Sequence, residues 1–221
     1  MPRVARLVVP GLIHHVTERG NNQERVFVTD ADRLEYLDRL RFFCPQAEVQ
    51  VYGFCLMTNH VHLLLRPAND DSLARLIRRA HSEYSAYFNQ QYGRCGHLWH
   101  NRFFSCPLEG GHVLNALRYV DRNPVRAGIA HHPADWPWSS AKAHSENTQD
   151  EFRLLCLDWR TWREWPADWR QFLTSEDAPA DRLIRTATKS SRPLGSAHFI
   201  QNLEQRSGRY LSPRATGRPT D

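Results

Sequence analysis

Val51-Tyr52-Gly53-Phe54-Cys55-Leu56-Met57-Thr58-Asn59-His60-Val61-His62-Leu63-Leu64-Leu65 reads as two apolar strands joined by the polar pair Thr58-Asn59. A connection this short is consistent with a tight hairpin, with strands over Val49 to Met57 and Val61 to Leu65 and His60 where the second begins. Side chains alternate faces along a strand with a period of two. His60 and His62 therefore project from one face, while Val61 points into the opposite layer. Two imidazoles on one face of a rigid strand are a ready metal site once other elements complete the ligand set.

Outward from the hairpin, Arg6 to Val16 is rich in Leu, Val and Ile and ends at the turn signal Glu18-Arg19-Gly20-Asn21-Asn22, a first strand and its loop. Asp30 caps a helix whose apolar stripe runs through Leu34, Tyr36, Leu37, Leu40 and Phe43, and Pro45 stops it. Asp71-Ser72 opens a long helix through Leu73, Leu76, Ile77, Ala80, Tyr84, Tyr87 and Phe88, with Arg75, Arg78 and Arg79 on its other face. Leu98 to Leu108 reads as a fourth strand, Gly110-Gly111 breaks it, and Val113 to Asp121 returns to helical spacing until Asn123-Pro124. The order βαββαβα predicts an α+β protein with a ferredoxin-like antiparallel sheet and helices packed on it. Beyond this come a Trp-rich stretch from Phe152 to Leu173, read as a helical core stripe interrupted at Pro166, and two short helices over Ala180 to Ala187 and Ser196 to Arg206. A basic tail broken by Gly and Pro follows. The expected units are 1–145, a helical C-terminal region over 146–205, and a flexible, DNA-contacting tail over 206–221.

The chain has 221 residues and a net charge of +5, and arginine supplies nearly all of the positive charge. Arginine's planar fork suits phosphate, so the balance leans towards nucleic acid. No stretch approaches a membrane span and no leader opens the chain, so neither insertion nor secretion is expected. Five scattered cysteines without a C-x-x-C pair read as reduced thiols of a cytosolic protein. Cys95, His97 and His100 lack the second cluster that a zinc finger needs.

Tyr119 lies in the last turns of the helix from Val113, and Asn123 follows four residues on, hence on the same helix face. If that face packs over the strand carrying His60 and His62, a phenol, an amide oxygen and two imidazoles converge. His60, His62 and Asn123 would then hold a metal with positions open to phosphate oxygens, and Tyr119 could attack phosphorus. Nothing basic adjoins Tyr119 in sequence, so its activation must come from a metal or a spatial neighbour. Tyr84, Tyr87 and Tyr92 are rival tyrosines, and Tyr87 with Gln91 matches the spacing of Tyr119 with Asn123.

Four ordered motifs carry a family resemblance: His14-His15-Val16-Thr17-Glu18-Arg19-Gly20-Asn21-Asn22, Met57-Thr-Asn-His60-Val-His62-Leu-Leu, Gly96-His-Leu-Trp99-His-Asn-Arg102-Phe, and Tyr119-Val-Asp-Arg-Asn123-Pro-Val-Arg126-Ala-Gly. Over roughly residues 5 to 145 the chain resembles the REP-associated tyrosine transposases, single-tyrosine HUH endonucleases related to insertion-sequence transposases. Thr58 departs from the proline common in that family. The resemblance implies that His60 and His62 are the HUH pair, Tyr119 the nucleophile and Asn123 the third metal ligand, in an HUH catalytic domain over 1–145. It further implies Mg²⁺ or Mn²⁺ and single-stranded DNA as substrate. Hairpins of repetitive extragenic palindromes would be recognised, and DNA transposition or recombination would follow through a covalent 5′-phosphotyrosine. On ligand type, two imidazoles suit Zn²⁺, Mn²⁺ or Ni²⁺ better than Mg²⁺, so the residues themselves point to a divalent metal and not to one ion.

Candidate DNA contacts are Arg19, Asn21, Asn22, Arg66, Arg79, Trp99, Arg102 and Arg126, with Arg209, Arg214 and Arg218 in the tail. The expected setting is the bacterial cytoplasm in association with the nucleoid. A monomer is expected, with the dimer of insertion-sequence relatives as the alternative. Two other readings stand beside the enzyme: a domesticated hairpin-binding protein that does not cut, and a zinc hydrolase or zinc-stabilised domain.

Overall fold

The computed structural model describes residues 6–175 and 177–212. Strands β1 (His14–Arg19), β2 (Val49–Met57), β3 (His60–Pro67) and β4 (Phe104–Pro107) form one antiparallel sheet in the order β2-β3-β1-β4. Between them run α1 (Asp30–Gln46) and α2 (Ser72–Gln91). After β4 come α3 (Gly110–Asp121), the single turn α4 (Asn123–Arg126), α5 (Ala141–Glu146), α6 (Trp169–Thr174), α7 (Ala178–Ser190) and α8 (Ala197–Ser207). This is the ferredoxin-like α+β arrangement that the element order predicts.

β3 is a central strand with both faces covered, which is why its sequence is a near-continuous apolar run. Val61, Leu63 and Leu65 meet α1 and α2 through Tyr36, Leu37, Leu76, Ala80 and Tyr84. On the opposite face, Leu64 and the Cys55 and Met57 of β2 share a core with Leu117, Tyr119, Val120 and Ile184 of α3 and α7. Gly53 lets α3 close on the sheet: a Cβ there would stand 2.9 Å from Leu117 Cδ2. That approach brings the end of α3 over the histidine-bearing face.

Several boundaries differ from the sequence expectation. The first strand is His14–Arg19, not Arg6 to Val16, because Pro10 and Gly11 turn the chain, with Gly11 at φ 80°. The polar Thr17-Glu18-Arg19 stays in the strand because β3 pairs with all of it and β4 with Thr17. Only Phe104–Pro107 of the expected fourth strand joins the ladder. The stretch before it loops across the end of β1, with His100 N–H donating to Arg19 O and Asn101 at φ 60°. Thr29, not Asp30, caps α1: its hydroxyl accepts from Asp32 N–H, and the Asp32 carboxylate accepts from Thr29 N–H. Pro45 does not stop α1 but lies inside its last turn, and the helix runs on to Gln46.

The Trp-rich stretch is core but not helix. Trp159, Trp165 and Trp169 stack with centroids 4.3 Å apart at each step, around one 3₁₀ turn (Asp158–Thr161) and the start of α6. With Trp162, their three- and four-residue spacing mimics a helical stripe. Pro166 and the ring stacking fix an irregular path instead.

His14 gives a first test of this packing. Val9 N–H donates to its Nε2 at 3.1 Å and its Nδ1 donates to Leu12 O at 2.9 Å. Burial pulls its pKa down to about 4. Between that value and the ordinary 6.5 the unfolded chain binds a proton that the folded chain refuses, so stability falls as the pH drops through this window. The loss attributable to His14 is expected to approach about 3 kcal/mol. H14Q, which keeps an acceptor for Val9 N–H, should flatten the acid limb by about one proton in urea titrations from pH 7.5 to 4.5. An unchanged slope would contradict the assignment.

Candidate active site

β3 carries His60 and His62, paired across the sheet with Arg19 and Thr17 of β1, so His15, Thr17 and Arg19 face the same side as both imidazoles. The rings of His60 and His62 lie 5.0 Å apart. Tyr119, on the last turn of α3, sets the edge of its ring against both His62 (5.7 Å) and His15 (5.6 Å). Its side chain is 5% exposed. The guanidinium of Arg126 covers its other side, 3.8 Å from the ring centroid.

Asn123 opens α4 and joins the group through its neighbours. Its amide donates to Tyr119 O at 3.3 Å, and its Oδ1 accepts from Arg126 Nη2 at 3.0 Å. Arg126 in turn pairs with Asp181 of α7 at 2.8 Å. Beneath this corner, Asp121 lies fully buried between Tyr119 and Asn123 in sequence. Its carboxylate meets His144 Nδ1 (2.8 Å), Ser140 Oγ (2.7 Å) and Trp169 Nε1 (3.0 Å), and His144 Nε2 donates to Tyr52 O.

The imidazoles are held neutral. Burial, reinforced by Arg19 and Arg126, takes His60 down to about 4. Burial, with Arg126 adding to it, takes His15 down to about 3. His62 is pushed well below its ordinary value, first by burial and then by its neighbours His60, His15, Arg126 and Arg19. Neutral rings are the form that binds metal. His60 Nδ1 is engaged by Asn59 Oδ1 (2.7 Å) and His62 Nδ1 by His15 Nε2 (2.9 Å), which leaves Nε2 as the uncommitted nitrogen of each. The Oδ1 of Asn123 has a second lone pair beyond the one given to Arg126. Two imidazole nitrogens and an amide oxygen are a donor set that a divalent ion accepts. Among the described residues, no group of three or more His, Cys, Asp and Glu side chains is placed to hold a metal ion, so Cys95, His97 and His100 form no such centre.

The predicted site residues thus gather in part. His60, His62, Tyr119, Asn123 and Arg126 converge, and Arg19 lies across from His60. Arg66 does not join them: it occupies the far end of β3, bound to Asp158 at 2.8 Å. Arg79 is on α2, over Phe43, in the layer behind the sheet. Trp99 is 9% exposed and stacks on His81 (4.3 Å), which pairs with Glu18, so one face of its ring is occupied. Together with Arg102, Arg6 and Arg78, Trp99 lines a cleft of about 570 Å³. Asn21 and Asn22 form a 3₁₀ turn beyond β1, at the Arg19 end. Arg209 follows α8; Arg214 and Arg218 lie outside the described residues. The rival tyrosines lie behind the sheet: Tyr84 is fully buried, and Tyr87 and Tyr92 donate to Asp32 at 3.2 and 2.8 Å.

Two neighbours of the site escaped sequence reasoning, His15 and, through it, Thr188 of α7. The only signal for His15 is that it sits two residues from Thr17 and four from Arg19 on the same strand face, and this becomes informative only with the β1–β3 register.

Comparison with known proteins bears on the family and the fold. A Haemophilus influenzae protein whose name places it with the REP-associated tyrosine transposases is 27% identical over 117 residues, 48% of this chain and 66% of that protein. The chain thus spans just under two thirds of that relative. A solved structure of a REP-associated tyrosine transposase bound to a REP hairpin superposes with a TM-score of 0.53 at 18% identity. It covers 72% of this chain and 91% of the other, which establishes the shared fold. Among the described residues no helix is long and apolar enough to cross a membrane. The family model for IS200-like transposases matches residues 8–123, more than half of the sequence, and the chain belongs to that family.

Proposed function

We propose that the protein is a metal-dependent endonuclease and strand transferase acting on single-stranded DNA at REP-type palindromic hairpins, with Tyr119 as nucleophile. The observation that carries this reading is the meeting of the Tyr119 ring with His62 at 5.7 Å on the face that also presents His60. The name of the superposed structure, which was solved with a REP hairpin, supports the hairpin as substrate.

His60 and His62, through Nε2, and Asn123, through Oδ1, would hold the ion. Mg²⁺ or Mn²⁺ bound there would supply Lewis-acid polarisation of the scissile phosphate. Tyr119 Oη forms a bond to phosphorus as the P–O3′ bond breaks. The phenol loses its proton and the departing 3′ oxygen gains one, so a 5′-phosphotyrosine and a free 3′ hydroxyl result. The ester keeps the bond energy, and a second 3′ hydroxyl can reverse the step without ATP. Arg126 covers the ring face of Tyr119, next to the phenol that the phosphate would approach. Its guanidinium is suited to pair with that phosphate. Arg19 and Arg102 are the other arginines proposed to contact the strand.

A second reading, a hairpin-binding protein that does not cut, draws on the cover that Arg126 gives to a nearly buried Tyr119. Incubation with a single-stranded palindromic oligonucleotide and Mn²⁺ separates the two. Cleavage requires a protein–DNA adduct on a denaturing gel that disappears with EDTA. Binding without any adduct would leave the second reading.

A further inference from the structure

We propose that His15 is a positioning residue that fixes the tautomer of His62, and that Thr188 of α7 sets the direction of this relay. The proposal deepens the reading of His62 as a metal ligand and, on its metal side, rests on it.

Three hydrogen bonds form a buried chain in which the hydrogens can be counted. A carbonyl oxygen only accepts, so the 2.7 Å bond between Thr188 Oγ1 and Ile184 O uses the single hydroxyl hydrogen of Thr188. Thr188 Oγ1 is then an acceptor towards His15 Nδ1, 2.8 Å away, and His15 carries its hydrogen on Nδ1. A neutral ring protonated at Nδ1 has its lone pair at Nε2. The 2.9 Å contact between His15 Nε2 and His62 Nδ1 must therefore be filled by a hydrogen from His62. With its proton on Nδ1, His62 keeps the lone pair of Nε2 free for a metal ion. The rings of His15 and His62 are within 6° of parallel with centroids 5.1 Å apart, which is compatible with a bond between ring edges. His15, His62 and Thr188 are all buried, so water offers little competition for these partners.

A histidine that binds metal through one nitrogen needs a partner for the other, and loss of such partners typically weakens metal binding about 10- to 100-fold. Here the partner is a second histidine, and its own tautomer is set from α7, beyond the segment matched by the family model. The relay thus makes a C-terminal helix part of the metal site without touching the ion.

The test reads the tautomers directly. Long-range ¹H–¹⁵N spectra of the metal-free full chain should show both His15 and His62 neutral and protonated at Nδ1. T188V keeps the side-chain volume but removes the acceptor. It should release His15 towards the Nε2-protonated form, move the His62 proton to Nε2, and weaken Mn²⁺ binding by calorimetry about 10-fold. H15L should weaken it at least as much. H15Q, whose amide oxygen can take the same hydrogen from His62, should recover most of the affinity. A His62 protonated at Nε2 in the wild-type protein would overturn the proposal. So would wild-type Mn²⁺ affinity in both H15L and T188V while H62A loses binding. Mn²⁺ affinity unchanged in H62A would instead remove His62 as a ligand, and the tautomer spectra would still decide the relay.

Discussion

Tyr119→Phe is expected to abolish the covalent protein–DNA product and to lower cleavage of a hairpin substrate by at least about 10³-fold, because it removes the oxygen proposed to form the ester. The change deletes one oxygen and leaves the ring contacts to His15, His62 and Arg126 available, so folding and hairpin binding should persist. That separation of binding from cleavage distinguishes a missing nucleophile from a damaged fold. Tyr87→Phe serves as the matched control: it loses only the 3.2 Å bond to Asp32 in the layer behind the sheet. Adduct formation should survive it. Cleavage unimpaired by Tyr119→Phe would remove the covalent mechanism through this residue.

The largest expected loss of stability comes from Asp121→Ala. Asp121 is wholly buried and satisfies His144, Ser140 and Trp169 at once. Removing it strands His144 Nδ1 and Trp169 Nε1 in a core that water does not reach, while Ser140 Oγ keeps Phe54 O at 3.2 Å, and the cost is about 3–5 kcal/mol. For a chain of this size that corresponds to a fall in Tm of roughly 10 °C. The damage should also reach the site, since residue 121 stands two positions from Tyr119 and two from Asn123 and anchors the end of α3. Thermal unfolding and hairpin cleavage measured on the same preparation test both. A variant as stable as the wild type would show that the cluster around Asp121 contributes little to holding α3.

Local chemistry explains what was legible in the sequence. The Val49–Leu65 hairpin could be read because both strands are apolar and the connection is two polar residues long. α2 could be read because Leu73, Leu76, Ile77, Ala80, Tyr84 and Phe88 keep one helical face buried. The proximity of Tyr119 to Asn123 followed from helical geometry alone. Tyr87 with Gln91 has the same spacing, and only the layer in which each helix lies separates the two pairs. That layer is set by the sheet and not by the helices' own sequences.

What could not be read depends on contacts distant in sequence. His15 meets His62 across 47 positions and Thr188 across 173. Neither contact has a local signature. Trp99 looked like a base-stacking residue because it lies among polar and basic neighbours. It is instead drawn inward by His81, whose charge partner Glu18 sits on the face of β1 opposite the metal-site histidines. Arg66 carries the right charge on the right strand face, but three further alternations along β3 take it away from His60 to Asp158. The Trp repeat produced a helical period from stacked rings in an irregular segment.

Trypsin releases Tyr119 in the short peptide Tyr119-Val120-Asp121-Arg122, bounded by Arg118 and Arg122. Mass spectrometry of the digested adduct, after nuclease trimming of the DNA, therefore locates the attachment residue itself. The account predicts a 5′-phosphonucleotide on that peptide, formed only with Mg²⁺ or Mn²⁺ and lost in H60A and H62A. Attachment at any other tyrosine, or attachment at Tyr119 that persists when both histidines are replaced, would contradict it.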